Sequence, residues 1–351
     1  MRAKPEKERN VRIGLVGAGG NMRAKHIPGF QAIEGVEIVS VANRSRESAE
    51  RVAAEFDIPK VYDTWAELVD AGDTDAICIG TWPYVHCAVT LSALECNKHV
   101  LCEARMAMNA HEARIMLDAA RNNPHLVAQV VPAPMTLELD RTISDLIAEG
   151  YLGELLAVEI RATSREFVDR KSALTWRQDA ELSGCSALAL GIYYEIMMRW
   201  VGPAVCVAAM TRVHVPYRKN ADGRLRAVTV PDHIEVLCEL ASGAIARLNF
   251  SAVTGLGPSN EAWLFGSEGT LRVNLDAKTV FGGKRGDAEL GEIPIPPEKR
   301  GGWRVEEEFV NSIRGKEAVR LTRFEDGVRY MEFTEAVARA AQSGQSMSLP
   351  L

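Results

Sequence analysis

Hydrophobic residues in the first third of the chain form short continuous runs, and the segments between the runs have helical spacing. The runs are rich in β-branched residues and short enough to be buried strands. They occupy residues 11–17, 36–42, 75–80, 99–103 and 126–131, and the helical segments occupy 46–56, 65–71 and 110–122. Ser45 is a candidate N-cap, and Thr64 with Glu67 has the spacing of a capping box. This alternation predicts an α/β fold with a doubly wound parallel sheet covered on both faces.

The rest of the chain has a different pattern, in which longer strand-like segments are broken at Gly and Ser–Gly turns. These segments are residues 155–164, 205–215, 233–253, 261–267, 269–275 and 278–283. A final helix is predicted over roughly residues 326–343. Because 351 residues exceed the usual size of one domain, we predict two domains.

Composition narrows the possible functions. The net charge of −6 argues against a general nucleic-acid-binding protein. No apolar run approaches the roughly 20 residues that span a bilayer, and residues 1–10 lack the apolar core of a signal peptide. We therefore expect a cytoplasmic protein with neither a nucleic-acid nor a membrane partner. The seven cysteines include no C-x-x-C pair, which favours reduced thiols and no metal site.

The first strand is followed by a glycine-rich stretch, VGAGGNMRAKH, which has the position of a phosphate-binding turn. Gly17 permits a tight turn, and Gly19 allows the backbone at Ala18 and Asn21 to approach a pyrophosphate at a helix N-terminus. Met22 stands where a third glycine is usual, a position that serves helix packing, and we count it with the cofactor-binding residues of this stretch. A turn without a ligand is the alternative, but the surrounding strand–helix alternation favours a dinucleotide site.

The residues after the second strand bear on the choice of cofactor. An NAD site usually has an acidic residue there for the ribose hydroxyls, whereas this chain has Asn43, Arg44 and Ser45. A neutral amide removes repulsion against a 2′-phosphate, and an arginine beside a hydroxyl can bind it. The pattern favours NADP(H), with NAD(H) as the alternative.

Five stretches, taken in order, resemble the glucose–fructose oxidoreductase, inositol dehydrogenase and rhizopine-catabolism (Gfo/Idh/MocA) family. They are residues 13–30, 75–113, 146–162, 175–202 and 261–273. The resemblance implies a Rossmann domain at residues 1–131 and a C-terminal α+β domain at residues 132–351, which contains a large, open, mostly antiparallel sheet. It further implies a homodimer or homotetramer formed through that sheet, a final helix packed near the domain junction, and a sugar, cyclitol or related small polar substrate.

The same resemblance assigns residues to the cofactor site. Glu103 matches the glutamate of the family's E-K-P tripeptide, and Thr81 and His86 match positions that line the cofactor. Trp176 and Arg177 match a pair that approaches the cofactor from the second domain in NADP-using relatives. His86 could equally be a packing histidine, and Trp176 could equally be a core residue with Arg177 at the surface.

Two departures from the family pattern concern the catalytic residues. Ala104 replaces the usual lysine, and Arg105 follows it. The D-x-G-x-H-x-x-D pattern aligns with residues 189–196, where both aspartates are absent and Tyr193 holds the histidine position. A general acid or base must lie within hydrogen-bond reach of the reacting oxygen. Tyr193 is the candidate for this role, with its pKa lowered by Arg105, although Tyr193 could equally be a packing residue and Arg105 an ion-pair partner. Glu195 is a further candidate, one position from a lost aspartate.

Three hypotheses remain open at this point. The first is an NAD(P)-dependent dehydrogenase or reductase with a rebuilt acid/base set. The second is a nicotinamide-dependent lyase or glycosidase that oxidises its substrate transiently, or a reductase of conjugated double bonds. The third is a catalytically silent cofactor-binding sensor.

Overall fold

The computed structural model describes residues 10–351; residues 1–9, where the absence of a signal peptide was expected, lie outside the described residues. Strands and helices alternate along the first part of the described chain. They are β1 (Val11–Val16), α1 (Ile27–Gln31), β2 (Val36–Ala42), α2 (Arg46–Phe56), β3 (Lys60–Val61), α3 (Trp65–Asp70), β4 (Ala76–Ile79), α4 (His86–Glu95), β5 (His99–Cys102), α5 (Ala110–Asn122) and β6 (Ala128–Val130). A π-helical turn, Met22–His26, precedes α1.

These strands form one parallel sheet in the order β3-β2-β1-β4-β5-β6. The predicted doubly wound sheet is confirmed. Strands β1, β4 and β5 are apolar and almost wholly buried, as expected for a sheet covered on both faces. The strand order reverses beside β1, so the loops after β1, β2 and β4 meet at the edge where such sheets bind ligands.

The predicted residues Ser45 and Thr64 cap the N-termini of α2 and α3, but the capping box at Thr64 is incomplete. Ser45 accepts a hydrogen bond from the Ser48 amide at 3.3 Å, and Thr64 accepts one from the Glu67 amide at 3.2 Å. The Glu67 carboxylate, however, accepts from the Asp63 amide instead of the Thr64 amide. Only half of the predicted capping box at Thr64 is therefore formed.

The second part of the chain begins with α6 (Asp140–Ala148) and contains a large mixed sheet. The further elements are β7 (Leu155–Thr163), α7 (Ala180–Ser183), α8 (Leu190–Val201), β8 (Ala204–Arg212), β9 (Tyr217–Lys219), β10 (Leu225–Ala227), β11 (His233–Leu240), β12 (Ile245–Ser251), β13 (Glu261–Gly266), β14 (Gly269–Asn274), β15 (Thr279–Lys284), β16 (Gly291–Ile293), α9 (Val305–Ile313), α10 (Phe324–Ser343) and β17 (Met347–Ser348). The order of the sheet is β16-β15-β14-β13-β7-β12-β11-β8-β17.

Every pair in this sheet is antiparallel except the central pair of β7 and β12. The expected open, mostly antiparallel sheet is confirmed. On β11 alternate residues from Ile234 to Leu240 are buried, which gives the sheet one inner face. Tyr194 of α8 stacks on Phe333 of α10 with ring centroids 3.6 Å apart, so these two helices share a core.

The described chain divides into two compact units. The N-terminal unit comprises residues 10–107, 111–132 and 304–328, and the C-terminal unit comprises residues 108–110, 133–303 and 329–351. Both are discontinuous, in contrast to the uninterrupted ranges 1–131 and 132–351 expected from the sequence. Residues 304–328 belong to the N-terminal unit because the chain returns to β6. There the Val130 amide donates to the Thr322 carbonyl oxygen at 2.9 Å, and the Thr322 amide donates to the Val130 carbonyl oxygen at 3.1 Å.

Two further observations concern the class of protein. All seven cysteines are free thiols, and three of them are buried. Within residues 10–351, no helix combines the length and the apolar character needed to cross a bilayer.

Candidate functional site

The turn after β1 has a backbone that only glycine adopts easily. Gly17 has a φ of +84°, and a Cβ there would lie 2.5 Å from Thr81 Cγ2 and 2.7 Å from the Thr81 amide nitrogen. At Gly19 the nearest atom to a Cβ is 4.0 Å away, and at Gly20 there is none within 4 Å. Gly19 and Gly20 are also exposed. A ligand can therefore approach the backbone at Gly19 and Gly20, where the helical segment begins, and this position suits a pyrophosphate.

Met22 occupies the position of the missing third glycine by packing inwards. Its side chain is 1% exposed, and its Sδ lies 3.7 Å from the Cys78 Sγ in β4. Gly80 leaves room for it, because a Cβ at Gly80 would lie 2.6 Å from Met22 Cε. The Met22 side chain thus belongs to the core below the turn, although Met22 was expected among the cofactor-binding residues.

The end of β2 is held to the glycine turn by Asn43. Its Oδ1 accepts from the Ala18 amide at 2.7 Å, and its Nδ2 donates to Ser48 Oγ at 3.1 Å. Ser45 caps α2, as described above. Arg44 is exposed, and its guanidinium lies 5.2 Å from the Trp82 ring centroid. Arg44 therefore presents a cation at the position expected for a 2′-phosphate.

His86 joins the loops that follow β4 and β5. Its ring is fully buried, with Nε2 3.0 Å from the Thr81 carbonyl oxygen and Nδ1 3.0 Å from the Arg105 carbonyl oxygen. Burial lowers the pKa of His86 and favours the neutral ring. Arg105 is 5% exposed. His86 therefore fixes the path of the chain at Thr81 and Arg105.

A buried cluster of three charged side chains lies beside the turn. His26, which ends the π-helical turn, is fully buried between two carboxylates. Its Nε2 lies 3.1 Å from Glu103 Oε1, and its Nδ1 lies 2.6 Å from Glu306 Oε1 of α9. Gly29 makes room for Glu306, because a Cβ at Gly29 would lie 2.7 Å from Glu306 Cδ. We call Glu103, His26 and Glu306 the buried triad.

The triad fixes the charge states of its members. Burial alone would lower the pKa of His26, but the hydrogen bonds and negative charges of Glu103 and Glu306 raise it to about 9. Burial would likewise raise the pKa of Glu103, but His26 and Asn21 hold it below its usual value. Glu103 also accepts from the Asn21 side chain and, at 3.1 Å, from the Ala104 amide. Glu103 is therefore a carboxylate held in one orientation after β5.

The C-terminal unit has its own open cavity with an empty volume of about 1060 Å³. It is lined by the ends of β7 and β12, the turn before α7, the start of α8, and the segments around β9 and β11. Its polar lining residues are Thr163, Ser164, Thr175, Arg177, Gln178, Tyr193, Arg218, Asp232, Ser251 and Asn260. Such a concave site with hydroxyl, amide and guanidinium groups can bind a small polar molecule.

Tyr193 lines this cavity from α8. Its side chain is 8% exposed and packs against Phe250 with ring centroids 5.9 Å apart. Burial, with a smaller contribution from the charge of Asp276, raises the pKa of Tyr193. The expectation of a lowered pKa is thus wrong, because desolvation disfavours the phenolate. The hydroxyl remains a proton donor at neutral pH.

Glu195 does not join Tyr193 in the cavity lining. It is 2% exposed, and its two carboxylate oxygens lie 3.3 and 3.2 Å from the Ala133 amide that donates to them. Two residues along a helix point in different directions, so Tyr193 and Glu195 cannot share one face of α8. Glu195 thus supports the chain at Ala133.

Trp176 and Arg177 form a short helical turn, Trp176–Gln178, in which Thr175 and Gln178 make a capping box. The Arg177 guanidinium lies 4.3 Å from the Trp176 ring centroid, a stacked cation–π arrangement. Arg177 lines the cavity of the C-terminal unit, whereas Trp176 does not.

Comparisons with known proteins identify the family. Residues 11–130 match the model of an oxidoreductase family with an NAD-binding Rossmann fold, GFO_IDH_MocA. Residues 141–272 match the model of the GFO/IDH/MocA C-terminal domain. The chain belongs to the Gfo/Idh/MocA oxidoreductase family. It is an enzyme of the dehydrogenase or reductase type.

Curated relatives and solved structures agree with this assignment. Glucose-6-phosphate 3-dehydrogenase of Bacillus subtilis is 25% identical over 357 residues, covering 96% of this chain and 98% of that protein. Trans-1,2-dihydrobenzene-1,2-diol dehydrogenase of Oryctolagus cuniculus is 29% identical over 240 residues, covering 68% of this chain and 67% of that protein. A structure of levoglucosan dehydrogenase with NADH and levoglucosan has a TM-score of 0.85 at 20% identity, covering 98% of this chain and all of that one.

In this Gfo/Idh/MocA oxidoreductase, sequence analysis missed three residues of the two sites. His26 and Glu306 complete the buried triad, and Arg218 lies in the cavity wall. His26 stood at the end of the quoted glycine stretch, but nothing local indicated a partner far along the chain. The missing side chain of Gly29 leaves the space that Glu306 occupies. In the sequence, however, Gly29 cannot be told apart from any other glycine in a helix, so it did not indicate a buried partner for His26.

Proposed function

We propose that this protein is an NAD(P)-dependent dehydrogenase or reductase acting on a sugar, a cyclitol or a related small polar molecule. The observation that carries the proposal is the cavity of the C-terminal unit, whose wall combines hydroxyl, amide and guanidinium groups. Levoglucosan dehydrogenase and glucose-6-phosphate 3-dehydrogenase, by their names, act on sugar compounds. This chain likewise combines a dinucleotide-binding fold with a polar cavity.

The glycine turn of the N-terminal unit would hold the cofactor. Gly17, Gly19 and the following helical N–H groups fit the pyrophosphate, and Glu103 would accept hydrogen bonds as a fixed carboxylate near the ends of β4 and β5. The bound nicotinamide supplies or accepts a hydride. Arg44 and Ser45, with no acidic side chain at Asn43, favour NADP(H) over NAD(H).

Tyr193 would be the residue that holds the proton. Because burial keeps its hydroxyl protonated, it can donate a hydrogen bond to a substrate oxygen. In carbonyl reduction this group would act as a general acid, and the reverse reaction would require its phenolate. Turnover in the oxidative direction should therefore rise with pH.

The outer face of the large sheet would form the interface of a homodimer or homotetramer. Met210, Leu237 and Ile245 lie on neighbouring strands of that face and are 79%, 56% and 52% exposed. Exposed apolar side chains grouped on one face are typical of an interaction surface.

The first experiment is a mass and absorbance analysis of the purified, undialysed protein, followed by titration with NADPH and NADH. We expect reversible binding of NADPH, and then turnover within a panel of sugars, cyclitols and their keto derivatives. A protein that binds neither dinucleotide would contradict the proposal. A cofactor that stays bound and never exchanges would instead favour transient internal oxidation, and glycoside cleavage would then be assayed.

A further inference from the structure

Arg218 is a buried cation in the wall of the cavity. It lies on β9, its side chain is 8% exposed, and it is one of the residues that line the open space. Its Nη1 donates to the Ser172 carbonyl oxygen and hydroxyl, and its Nη2 donates to the Asp169 carbonyl oxygen at 2.9 Å. Since a guanidinium has five N–H donors, the Nε–H and one Nη2–H have no acceptor among residues 10–351.

The charge of Arg218 is not neutralised by an ion pair. All of its acceptors are uncharged oxygens, and no carboxylate of the described chain lies within 4 Å of its guanidinium nitrogens. The Asp169 carboxylate attracts Arg218 from beyond 4 Å, but it is exposed and accepts from the amides of Lys171 and Ser172. A buried charge without a counter-ion in direct contact is unfavourable, so its retention in a cavity wall points to a charge supplied by a ligand.

When the other charged side chains of the cavity are included, the lining has more positive than negative groups. Arg177 contributes a second cation, and Asp232 is the one carboxylate in the lining. Asp232 is already occupied: its oxygens accept from the amides of His214 and Val215 and lie 2.9 Å from His214 Nδ1. The lining therefore carries two guanidinium groups against one engaged carboxylate.

A buried hydroxyl in the same wall also lacks a partner. Thr163 is 9% exposed, and its Oγ1 has no hydrogen-bond partner in the described chain. A buried polar atom without a partner costs stability unless a ligand or water satisfies it. Thr163 and Arg218 are thus two separate groups of the cavity that a polar, charged ligand would satisfy.

We propose that the substrate carries an anionic group, a carboxylate or a phosphate, and that Arg218 binds it. This inference rests on the proposed function, because it takes the cavity as the substrate site. A guanidinium fork matches the geometry of a carboxylate or a phosphate and gives charge-assisted hydrogen bonds. Arg218 is then a specificity-determining residue, and neutral sugars are the poorer ligands.

The test is calorimetric titration of the purified protein, saturated with reduced dinucleotide, using matched probes that differ in charge. Glucose, glucuronate and glucose 6-phosphate form one set, and myo-inositol with inositol 1-phosphate forms another. We expect at least one anionic probe to bind at least about tenfold more tightly than its neutral partner, which is the usual strength of hydrogen bonds to charged groups. The glucuronate and phosphate titrations distinguish the two kinds of anion.

Substitutions of Arg218 then test whether this residue causes the preference for anionic probes. Arg218→Met should remove the preference for the anionic probe, and Arg218→Lys, which keeps the charge but not the fork, should retain part of it. Arg226→Met is the matched control, because Arg226 is exposed on the paired strand β10, forms an ion pair with Glu181, and does not line the cavity. Added NaCl should weaken anionic probes more than neutral ones in the unaltered protein.

Equal affinity for neutral and anionic probes, binding of no anionic probe, or a preference that persists in Arg218→Met would overturn the inference. Dinucleotide binding and turnover of neutral sugars would still stand in those cases, and the proposed function with them. Loss of dinucleotide binding in the unaltered protein is a different result, and it contradicts the proposed function itself.

Discussion

His26 is a single side chain whose charge state is set by residues far apart in the sequence. Its two carboxylate partners come from the end of β5 and from α9, and its pKa is raised to about 9. Since an unfolded histidine titrates near 6.5, the folded protein keeps a proton that the unfolded chain has released between these values. The stabilisation by His26 is therefore complete below pH 6.5 and is lost as the pH rises through about 9.

We expect His26→Gln to flatten the pH dependence of unfolding in that window. In the unaltered protein the contribution of His26 falls by about 1.4 kcal/mol per pH unit. The measurement is the free energy of unfolding in urea from pH 6 to pH 10 for both proteins. His111→Gln, at an exposed histidine of α5, is the control and should keep the slope. The same slope in His26→Gln would show that His26 is not a buried imidazolium.

A second prediction at this scale concerns the choice between NADP(H) and NAD(H). Arg44→Ala should weaken NADPH binding by about 10- to 100-fold, because a charge-assisted contact to the 2′-phosphate is lost. The affinity for NADH should change little. Arg46→Ala is the matched control, because Arg46 is also exposed but is paired with Glu50 and Asp63. Equal effects of Arg44→Ala on both dinucleotides would refute the assignment of the 2′-phosphate to Arg44.

The third prediction assigns the proton donor. Tyr193→Phe should reduce kcat on an identified substrate by about 10²- to 10⁴-fold, the usual contribution of a general acid or base. The dissociation constant of the dinucleotide should stay the same, because Tyr193 is not among the residues assigned to the cofactor. Tyr217→Phe, at an exposed tyrosine of β9, is the control. Full turnover by Tyr193→Phe would exclude it from the chemistry.

At the scale of single residues, the sequence led directly to Gly17 and to the position of Tyr193, since motif spacing defines both. It did not lead to Glu306 or Arg218. Glu306 meets His26 only because the chain returns to the first sheet after residue 304. Arg218 lies in a short hairpin strand with no motif, and its importance comes from burial in a cavity wall. Local patterns carry neither kind of information.

At the scale of elements, strands with an apolar or alternating pattern were predicted closely. Predicted strand 36–42 is β2, Val36–Ala42, and predicted helix 46–56 is α2, Arg46–Phe56. The elements that were not predicted include the helices α4, α6, α8 and α9. They also include three short strands, β9, β10 and β16, which have three residues each and are mostly exposed. Such strands bury too little to leave a hydrophobic period, because their pairing partners hold them in place.

At the scale of the whole molecule, the exposed apolar side chains on the large sheet predict self-association. We expect the purified protein to sediment as a dimer or tetramer. Leu237→Lys should weaken assembly by more than about tenfold, because a charge would have to be buried in the interface. Leu225→Lys, at a 65% exposed position of β10, is the matched control and should leave assembly intact. A monomeric unaltered protein would contradict the proposed interface.

The return of residues 304–328 to the first sheet also has a consequence for the order of events on the ribosome. When residue 132 leaves the exit tunnel, all six strands of the parallel sheet exist, but β6 lacks Thr322 and His26 lacks Glu306. Synthesis proceeds at roughly 5–20 residues per second, so this half-finished sheet must wait about 10 to 40 seconds with an open edge and an imidazole that lacks one of its two carboxylate partners. The glycine turn and the sheet that carries it are therefore synthesised early, but their last contacts form only when translation is nearly complete.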